Sequence, residues 1–313
     1  MDIKNSKILL TGGYGFLGSH VFEELLRGGA KEKNIFRPRS KDLDLRISKN
    51  ARRAVDNMDV VIHLAANVGG IGYNQKFPGT LFYDNAIMGI HLIEEARKAG
   101  VKKFVQVGTV CSYPKVPPQI PFKEEYLWQG YPEETNAPYG LSKLILLEML
   151  QSYRKQYGFN GIYLLPVNLY GPRDNFNPES AHVIPDQIRK MLEAKENNSH
   201  HTVWGTGKAS REFLYVGDAA KAIVLATKKY DKPEPINIGS GNEISIIDLV
   251  EHIAEIVGFK GKIIWDKTKP DGQPRRKLDI TRAKKEFGFT PKVDFGKGLK
   301  KTVDWYKKNF KYS

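Results

Sequence analysis

Two side chains at helical spacing carry the first chemical signal. Tyr139 and Lys143 stand at i and i+4, which on a helix places a phenol and an ammonium on one face. A nearby ammonium favours the tyrosinate and lowers the tyrosine pKa, which would make the pair a usable proton carrier. Thr109, thirty residues before Tyr139, closes an apolar run and offers a hydroxyl to the same substrate oxygen. Cys111 is the only cysteine and cannot form an intrachain disulfide, so its thiol is free for chemistry. Taken alone, a lone cysteine reads as a small buried hydrophobe. The Tyr-x-x-x-Lys spacing is also weak by itself. In a chain with 15 tyrosines, and lysine at roughly one position in ten, about one match arises by chance.

The elements that must position these groups are legible in the first half. Apolar runs at Lys7–Leu10, Asn34–Arg37, Asp59–Leu64, Lys102–Val107 and Gly161–Val167 alternate with helical patterns at about 15–27, 46–56, 79–99 and 138–157. Continuous apolar strands alternating with helices predict a parallel, doubly wound sheet. The stretch KILLTGGYGFLGS, residues 7–19, reads as strand, glycine turn and helix start, with Gly12, Gly15 and Gly18 at three-residue intervals. Such a turn bares backbone N–H groups at the positive end of a helix and suits a pyrophosphate. The fold class is therefore α/β: a Rossmann-type doubly wound parallel sheet with a smaller, interleaved C-terminal substrate-binding lobe. Residues 1–170 are expected to form the dinucleotide-binding domain, with 203–240 partly returning to it, and 171–313 mainly the substrate lobe. In that second part the pattern predicts helices near 184–193, 218–228 and 246–257, and strands at HTVWG and REFLYV.

After the second strand the chain reads Ile35-Phe36-Arg37-Pro38-Arg39-Ser40-Lys41, with no acid before Asp42. An acid there would accept from a ribose 2′-hydroxyl, whereas arginine pairs with a 2′-phosphate. Arg37 and Arg39 thus favour NADP(H) over NAD(H), and Asp44 and Leu45 follow where an adenine could be contacted.

Composition narrows the partners. The net charge is +14, and 17 Lys/Arg against 6 Asp/Glu fall between Lys260 and Ser313. The last segment nevertheless places Leu299, Val303, Tyr306 and Phe310 on one helical stripe, the pattern of a packed helix with a solvated basic face rather than a nucleic-acid footprint. No apolar run approaches the roughly 18–20 residues of a membrane span. MDIKNSK leads straight into the first strand, leaving no signal peptide in this reading, and the single cysteine fits a reducing, cytoplasmic setting. The seven histidines lack ligand spacing, so no metal is expected.

The set Gly12, Gly15, Gly18, His63–Ala66, Thr109, Tyr139 and Lys143 resembles the extended short-chain dehydrogenase/reductase family. Segments 63–74, 110–115, 166–176, 181–185, 203–216 and 269–279 narrow the likeness to those members that epimerise a GDP-linked 4-keto-6-deoxymannose at C3 and C5 and then reduce C4. The resemblance covers nearly the whole chain. It implies an NADPH-dependent enzyme with Thr109, Tyr139, Lys143, Cys111 and His182 as catalytic residues. It implies cofactor contacts from Phe16, Leu17, Leu64, Ala65, Ala66, Pro166, Asn168, Leu169 and His182 besides the glycines, the arginines and the Tyr139/Lys143 pair. It implies a GDP-sugar site built from Asn168, Arg189, Trp204, Arg211, Lys269, Asp271 and Arg275, and a homodimer through the Tyr139/Lys143 helix, whose girth is apolar at Leu144–Leu147, Met149 and Leu150. His63 reads as structural.

The implied chemistry agrees with elementary considerations. A C4 ketone acidifies the protons on C3 and C5, and inverting each carbon needs a base on one face and an acid on the other. A thiol and an imidazole titrate near neutrality once placed in a site. The chain departs from the family pattern at Thr109, where serine is usual, and at Tyr14, where a basic residue is frequent. Relatives that carry out one of the two steps on another GDP-keto-sugar, and a non-catalytic nucleotide-sensing scaffold, remain open on the sequence.

Overall fold

The computed structural model describes residues 1–269 and 271–310; Pro270, inside the 269–279 segment, lies outside the described residues. The chain opens with β1 (Ile8–Thr11), α1 (Phe16–Arg27), β2 (Ile35–Phe36), α2 (Ser48–Val55), β3 (Val60–His63), α3 (Ile71–Lys76), α4 (Pro78–Lys98), β4 (Lys103–Val107), α5 (Ala137–Tyr157) and β5 (Gly161–Pro166). It continues through β6 (Asn168–Tyr170), α6 (Val183–Glu196), β7 (His201–Trp204), β8 (Ser210–Tyr215), α7 (Val216–Lys229), β9 (Ile236–Ile238) and β10 (Glu243–Ser245). The last elements are α8 (Ile246–Val257), β11 (Ile263–Asp266), β12 (Arg275–Arg276), α9 (Thr281–Phe287) and α10 (Phe295–Asn309).

Six strands form a parallel sheet in the order β2-β1-β3-β4-β5-β9. Strands β1, β3 and β4 are buried along their whole length, which is why they read as unbroken apolar runs. The chain reverses direction across the sheet between β1 and β3. Doubly wound sheets open a crevice at the carboxyl ends of the strands on either side of such a reversal.

Two apolar cores divide the molecule. The larger holds the six-stranded sheet with α1, α2, α4 and α5, and it also takes in α7, β9 and, near the end of the chain, Leu278, Ala283, Phe287 and Phe289. The return of chain to the first core therefore continues past 240. The smaller core gathers Tyr170, Phe176, α6, α8 and α10, with Leu299, Val303 and Tyr306 buried on one stripe of α10 as their spacing predicts. Around this second core β8 pairs with β6 and β12 in parallel and with β10 antiparallel, and β7 pairs with β11. Glu212 fastens the two together. Its buried carboxylate accepts the backbone N–H groups of Gly241 at 2.7 Å and Leu278 at 2.6 Å.

Candidate functional site

A cleft of about 1150 Å³ runs along the carboxyl edge of the sheet. Its floor is the β1–α1 turn. Gly12 takes φ +67, and a Cβ there would lie 2.9 Å from the Ala65 nitrogen, so a side chain is strained and obstructed at once. A Cβ on Gly18 would stand 2.0 Å from the Gly12 carbonyl oxygen, so α1 can approach the turn this closely only with glycine. Gly15 N–H donates to Gly12 at 2.9 Å, and α1 carries no acid in its first turn to compete for its positive end. Gly12, Gly15, Phe16, Leu17, Gly18, Leu64, Ala65 and Ala66 all line the cleft. The Thr11 hydroxyl ties the floor together. It accepts Leu64 and Ala65 N–H at 3.2 Å each and bonds His63 Nδ1 at 2.7 Å. His63 is fully buried, and burial, reinforced by Lys143, holds its pKa well below that of free imidazole. This is the structural role read from the sequence.

The second-strand loop divides the two arginines. Arg39, Asp44 and Leu45 line the cleft, but Arg37 does not. Its guanidinium lies 3.3 Å over the Phe22 ring and 4.6 Å from that of Tyr14, while Arg39 sits 4.1 Å over the same Tyr14. Asp44 reaches the cleft wall with its carboxylate engaged by Arg46 at 2.7 Å, a bond that keeps its pKa low.

The residues expected to be catalytic line the cleft around the end of β4. The Thr109 hydroxyl caps the turn after β4, accepting Cys111 N–H at 3.1 Å, and Ser112 Oγ donates to the Gly140 carbonyl at 2.9 Å. That bond fixes the start of α5, and with it Tyr139 and Lys143, against the Thr109–Cys111 turn. Lys143 is 1% exposed, and burial brings its ammonium down to about 8. Tyr139 departs from expectation. Burial, then the neighbouring Cys111, hold its phenol above the ordinary tyrosine range, because in this geometry desolvation of the phenolate outweighs any help from Lys143. His182 enters from the other side as the residue preceding α6. It faces the cleft with its side chain exposed there, and partial desolvation by the surrounding cleft walls lowers its pKa. Pro166, Asn168 and Leu169 complete the wall, with Asn168 Nδ2 donating to the Glu212 carbonyl at 3.0 Å.

The expected substrate residues split. Asn168, Trp204, Arg211 and Asp271 line the cleft. Arg211 donates to the Ser210 carbonyl at 2.7 Å, and burial, then Arg276, bring its pKa down to about 10. Asp271 braces the turn after β7, accepting Thr206 N–H at 2.6 Å and its hydroxyl at 2.7 Å. The other three face elsewhere. Arg189 pairs with Asp186 at 2.7 Å and Glu193 at 2.9 Å along α6. Lys269 lies 5.4 Å over the Trp204 ring, outside the lining. Arg275 points outward to Glu243 at 2.7 Å.

Residues 8–239 match the model of the NAD dependent epimerase/dehydratase family. The chain belongs to that family. It is 40% identical over 310 residues to GDP-L-fucose synthase 1 of Arabidopsis thaliana, spanning 99% of this chain and 95% of that protein. A solved GDP-6-OMe-4-keto-L-xylo-heptose reductase from C. jejuni shares the fold with a TM-score of 0.92 at 27% identity, over 99% of both chains. A GDP-L-fucose synthetase from Naegleria fowleri bound to NADP gives 0.87 at 31% identity, over 98% of this chain and 94% of that one. The turn at Gly12–Gly18 fits the nicotinamide dinucleotide of an epimerase/dehydratase chain, since its glycines leave a helix start bare of side chains where a pyrophosphate would rest.

Within this family member, two cleft residues fall one position from those predicted. Lys190 lines the cleft in place of Arg189, and Arg276 in place of Arg275. A strand sends successive side chains to opposite faces, and a helix turns its face between neighbours. Each pair could therefore send only one cation inward, and alternation around Leu278 held the clue for the second. Arg276 is 8% exposed and extends a guanidinium nitrogen to 3.7 Å from Cys111 Sγ. It is oriented by Gln273 Oε1 at 3.0 Å, and Gln273 in turn donates to the Lys115 carbonyl at 2.8 Å. Among the described residues no cluster of His, Cys, Asp and Glu could hold a metal, and no helix is long and apolar enough to cross a membrane.

Proposed function

We propose that this chain epimerises GDP-4-keto-6-deoxy-D-mannose at C3 and C5 and then reduces C4, the conversion that yields GDP-L-fucose. The observation that carries the reading is the meeting of two sets in one cleft: Thr109, Tyr139 and Lys143 on one hand, Cys111 and His182 on the other. Hydroxyls from Thr109 and Tyr139 would hold the C4 oxygen and stabilise the enolate formed when a C3 or C5 proton leaves. Cys111 and His182 come from different elements, α5's neighbouring turn and the start of α6, as a base and an acid acting on opposite faces require. Tyr139 then protonates the alkoxide at C4, and Lys143, held near neutrality by burial, restores that proton. A bound nicotinamide supplies the hydride. Lys190 and Arg211 stand as cations for the diphosphate.

NADP(H) rather than NAD(H) is the cofactor in this reading, supported by Arg39 in the lining. A division of labour between a dinucleotide-binding unit and a GDP-sugar lobe is supported by the two apolar cores. A homodimer through α4 and α5 is supported by Phe82, Tyr83, Ile90 and Ile145, large apolar side chains left exposed on those helices. The lone thiol of Cys111, half-buried and free, fits a reducing cytoplasm. The decisive experiment supplies the GDP-keto-sugar with NADPH or NADH in deuterated water and follows both products. Deuterium at C3 and C5 with NADPH consumption is expected. Reduction without exchange would refute the epimerase half and favour the second reading, reduction alone of a GDP-linked keto-heptose, which the C. jejuni likeness supports.

A further inference from the structure

The loop after β3 reaches across the cleft and holds the loop that carries His182. Gly70 N–H donates to the Ser180 carbonyl at 3.1 Å, two residues before His182. The approach is close enough that a Cβ on Gly70 would lie 2.6 Å from the Ala181 carbonyl oxygen. Gly70 has φ −71 and ψ 178, a backbone open to any residue, so the demand for glycine comes from the opposing carbonyl and not from conformation. Both ends of the contact are stiff. On the Gly70 side, Asn67 N–H donates to Asn85 Oδ1 at 3.0 Å, Asn67 Nδ2 to Asp84 at 3.1 Å, and Tyr73 OH to Asn67 Oδ1 at 3.0 Å. Asp84 and Asn85 belong to α4 and are buried. On the other side, Ala181 N–H donates to the Asn177 carbonyl at 2.8 Å and Asn175 Nδ2 to Ser180 Oγ at 2.9 Å, while the His182 carbonyl accepts Asp186 N–H at 3.0 Å to begin α6.

We infer that Gly70 is a positioning residue for His182, a latch that transmits the rigidity of α4 across the cleft and sets the imidazole opposite Cys111. The inference rests on the epimerase reading of the Cys111–His182 pair. The test compares Gly70→Ala with Gly79→Ala, a position in α4 where an added Cβ meets nothing within 4 Å. Two activities are read separately: entry of solvent deuterium at C3 and C5 of the GDP-4-keto-sugar with NADP⁺ present, and NADP⁺ reduction by GDP-L-fucose, which needs hydride transfer at C4 but no inversion. Gly70→Ala should lose exchange by about 10–100-fold while hydride transfer and melting temperature stay close to those of the unaltered protein, because a displacement of about 1 Å costs rate only in the step that uses the displaced group. Gly79→Ala should retain both activities. Unchanged exchange in Gly70→Ala overturns the latch, and so does an equal loss of both activities. Absence of exchange in the unaltered protein refutes the epimerase reading itself, and the latch with it.

Discussion

Lys143→Met should make the protein more stable and nearly inactive. In the folded chain the Lys143 ammonium gives up its proton at about 8, against 10.5 for the free side chain. Between those values the unfolded chain holds a proton that the folded chain does not, so stability rises with pH across this window, and below it the penalty of burying the ammonium is present in full. The displacement is worth about 3 kcal/mol, a ceiling since water and local relaxation soften the buried charge. Methionine keeps an unbranched chain of similar length without the charge. At about pH 7 the variant should gain up to about 3 kcal/mol, and at about pH 10 most of that gain should vanish. In thermal terms each kcal/mol amounts to about 2–4 °C for a chain somewhat smaller than this one. Activity should fall by about 10²–10⁴, the usual worth of a positioned proton donor. Nucleotide-free protein unfolded by heat or denaturant across that pH range measures the first effect, and NADPH oxidation the second. A variant less stable at neutral pH, or a gain that does not shrink as pH rises, would show that Lys143 is not a destabilising buried charge.

Three further outcomes follow from the cleft. Arg276→Met should lower deuterium entry at C3 and C5 by about tenfold or more, since its guanidinium donates to Cys111 Sγ at 3.7 Å and so helps to orient it; unchanged exchange marks the contact as incidental. Arg39→Ser should raise the KM for NADPH by about tenfold, the worth of one charge-assisted hydrogen bond to phosphate, and leave that for NADH nearly unchanged; equal effects on both would remove the 2′-phosphate role. Lys190→Ala should raise the KM for the GDP-sugar, since Lys190 lines the cleft even while paired with Asp186 at 2.7 Å, whereas Arg189→Ala, outside the lining and paired with Asp186 and Glu193, should leave it near its starting value; the reverse order would return Arg189 to the site.

The fold was legible where burial is two-sided and periodicity is strong. β1, β3, β4 and β5 each lie within a residue or so of the apolar runs that predict them, and α1, α4, α5 and α8 begin and end close to their patterns. Less was visible where tertiary contacts decide. The six-residue α3 arises in a glycine-rich stretch, Gly69-Gly70-Ile71-Gly72, that offers no helical period. β6, β10 and β12 have two or three residues each, too few for alternation to register, and it is pairing with β8 that makes them strands. The candidate site follows the same division. Groups attached to strong elements, such as Thr109 after β4 and Tyr139 and Lys143 on α5, all line the cleft. Arg275, on the two-residue β12, and Arg189, on the helix α6, lie one residue from the cations that line the cleft, because composition marks where charge accumulates but not which way it turns.

The direction in which the more deeply buried cations turn goes with what they lack, Lys190 being the exception that lines the cleft while paired with Asp186 at 2.7 Å. Arg189, Arg275 and Lys103 each meet a carboxylate, on α6, at β10 and after α7 respectively. Lys143, Arg211 and Arg276 are buried or nearly so, face the cleft, and have no carboxylate within 4.0 Å among the described residues; the arginines bond to carbonyl and amide oxygens and to the Cys111 sulfur. A buried cation without a counter-charge is costly, and a protein retains it where an anion completes the site. A keto-sugar tethered to GDP brings that anion twice, as the fixed charge of its diphosphate and as the transient charge of the C4 enolate. One cation-lined cleft can thus bind the nucleotide, favour loss of a C3 or C5 proton and receive the alkoxide of reduction. In the proposed reading the two reactions need no separate sites: both would place negative charge on the same C4 oxygen, the one that Tyr139 and Thr109 would hold.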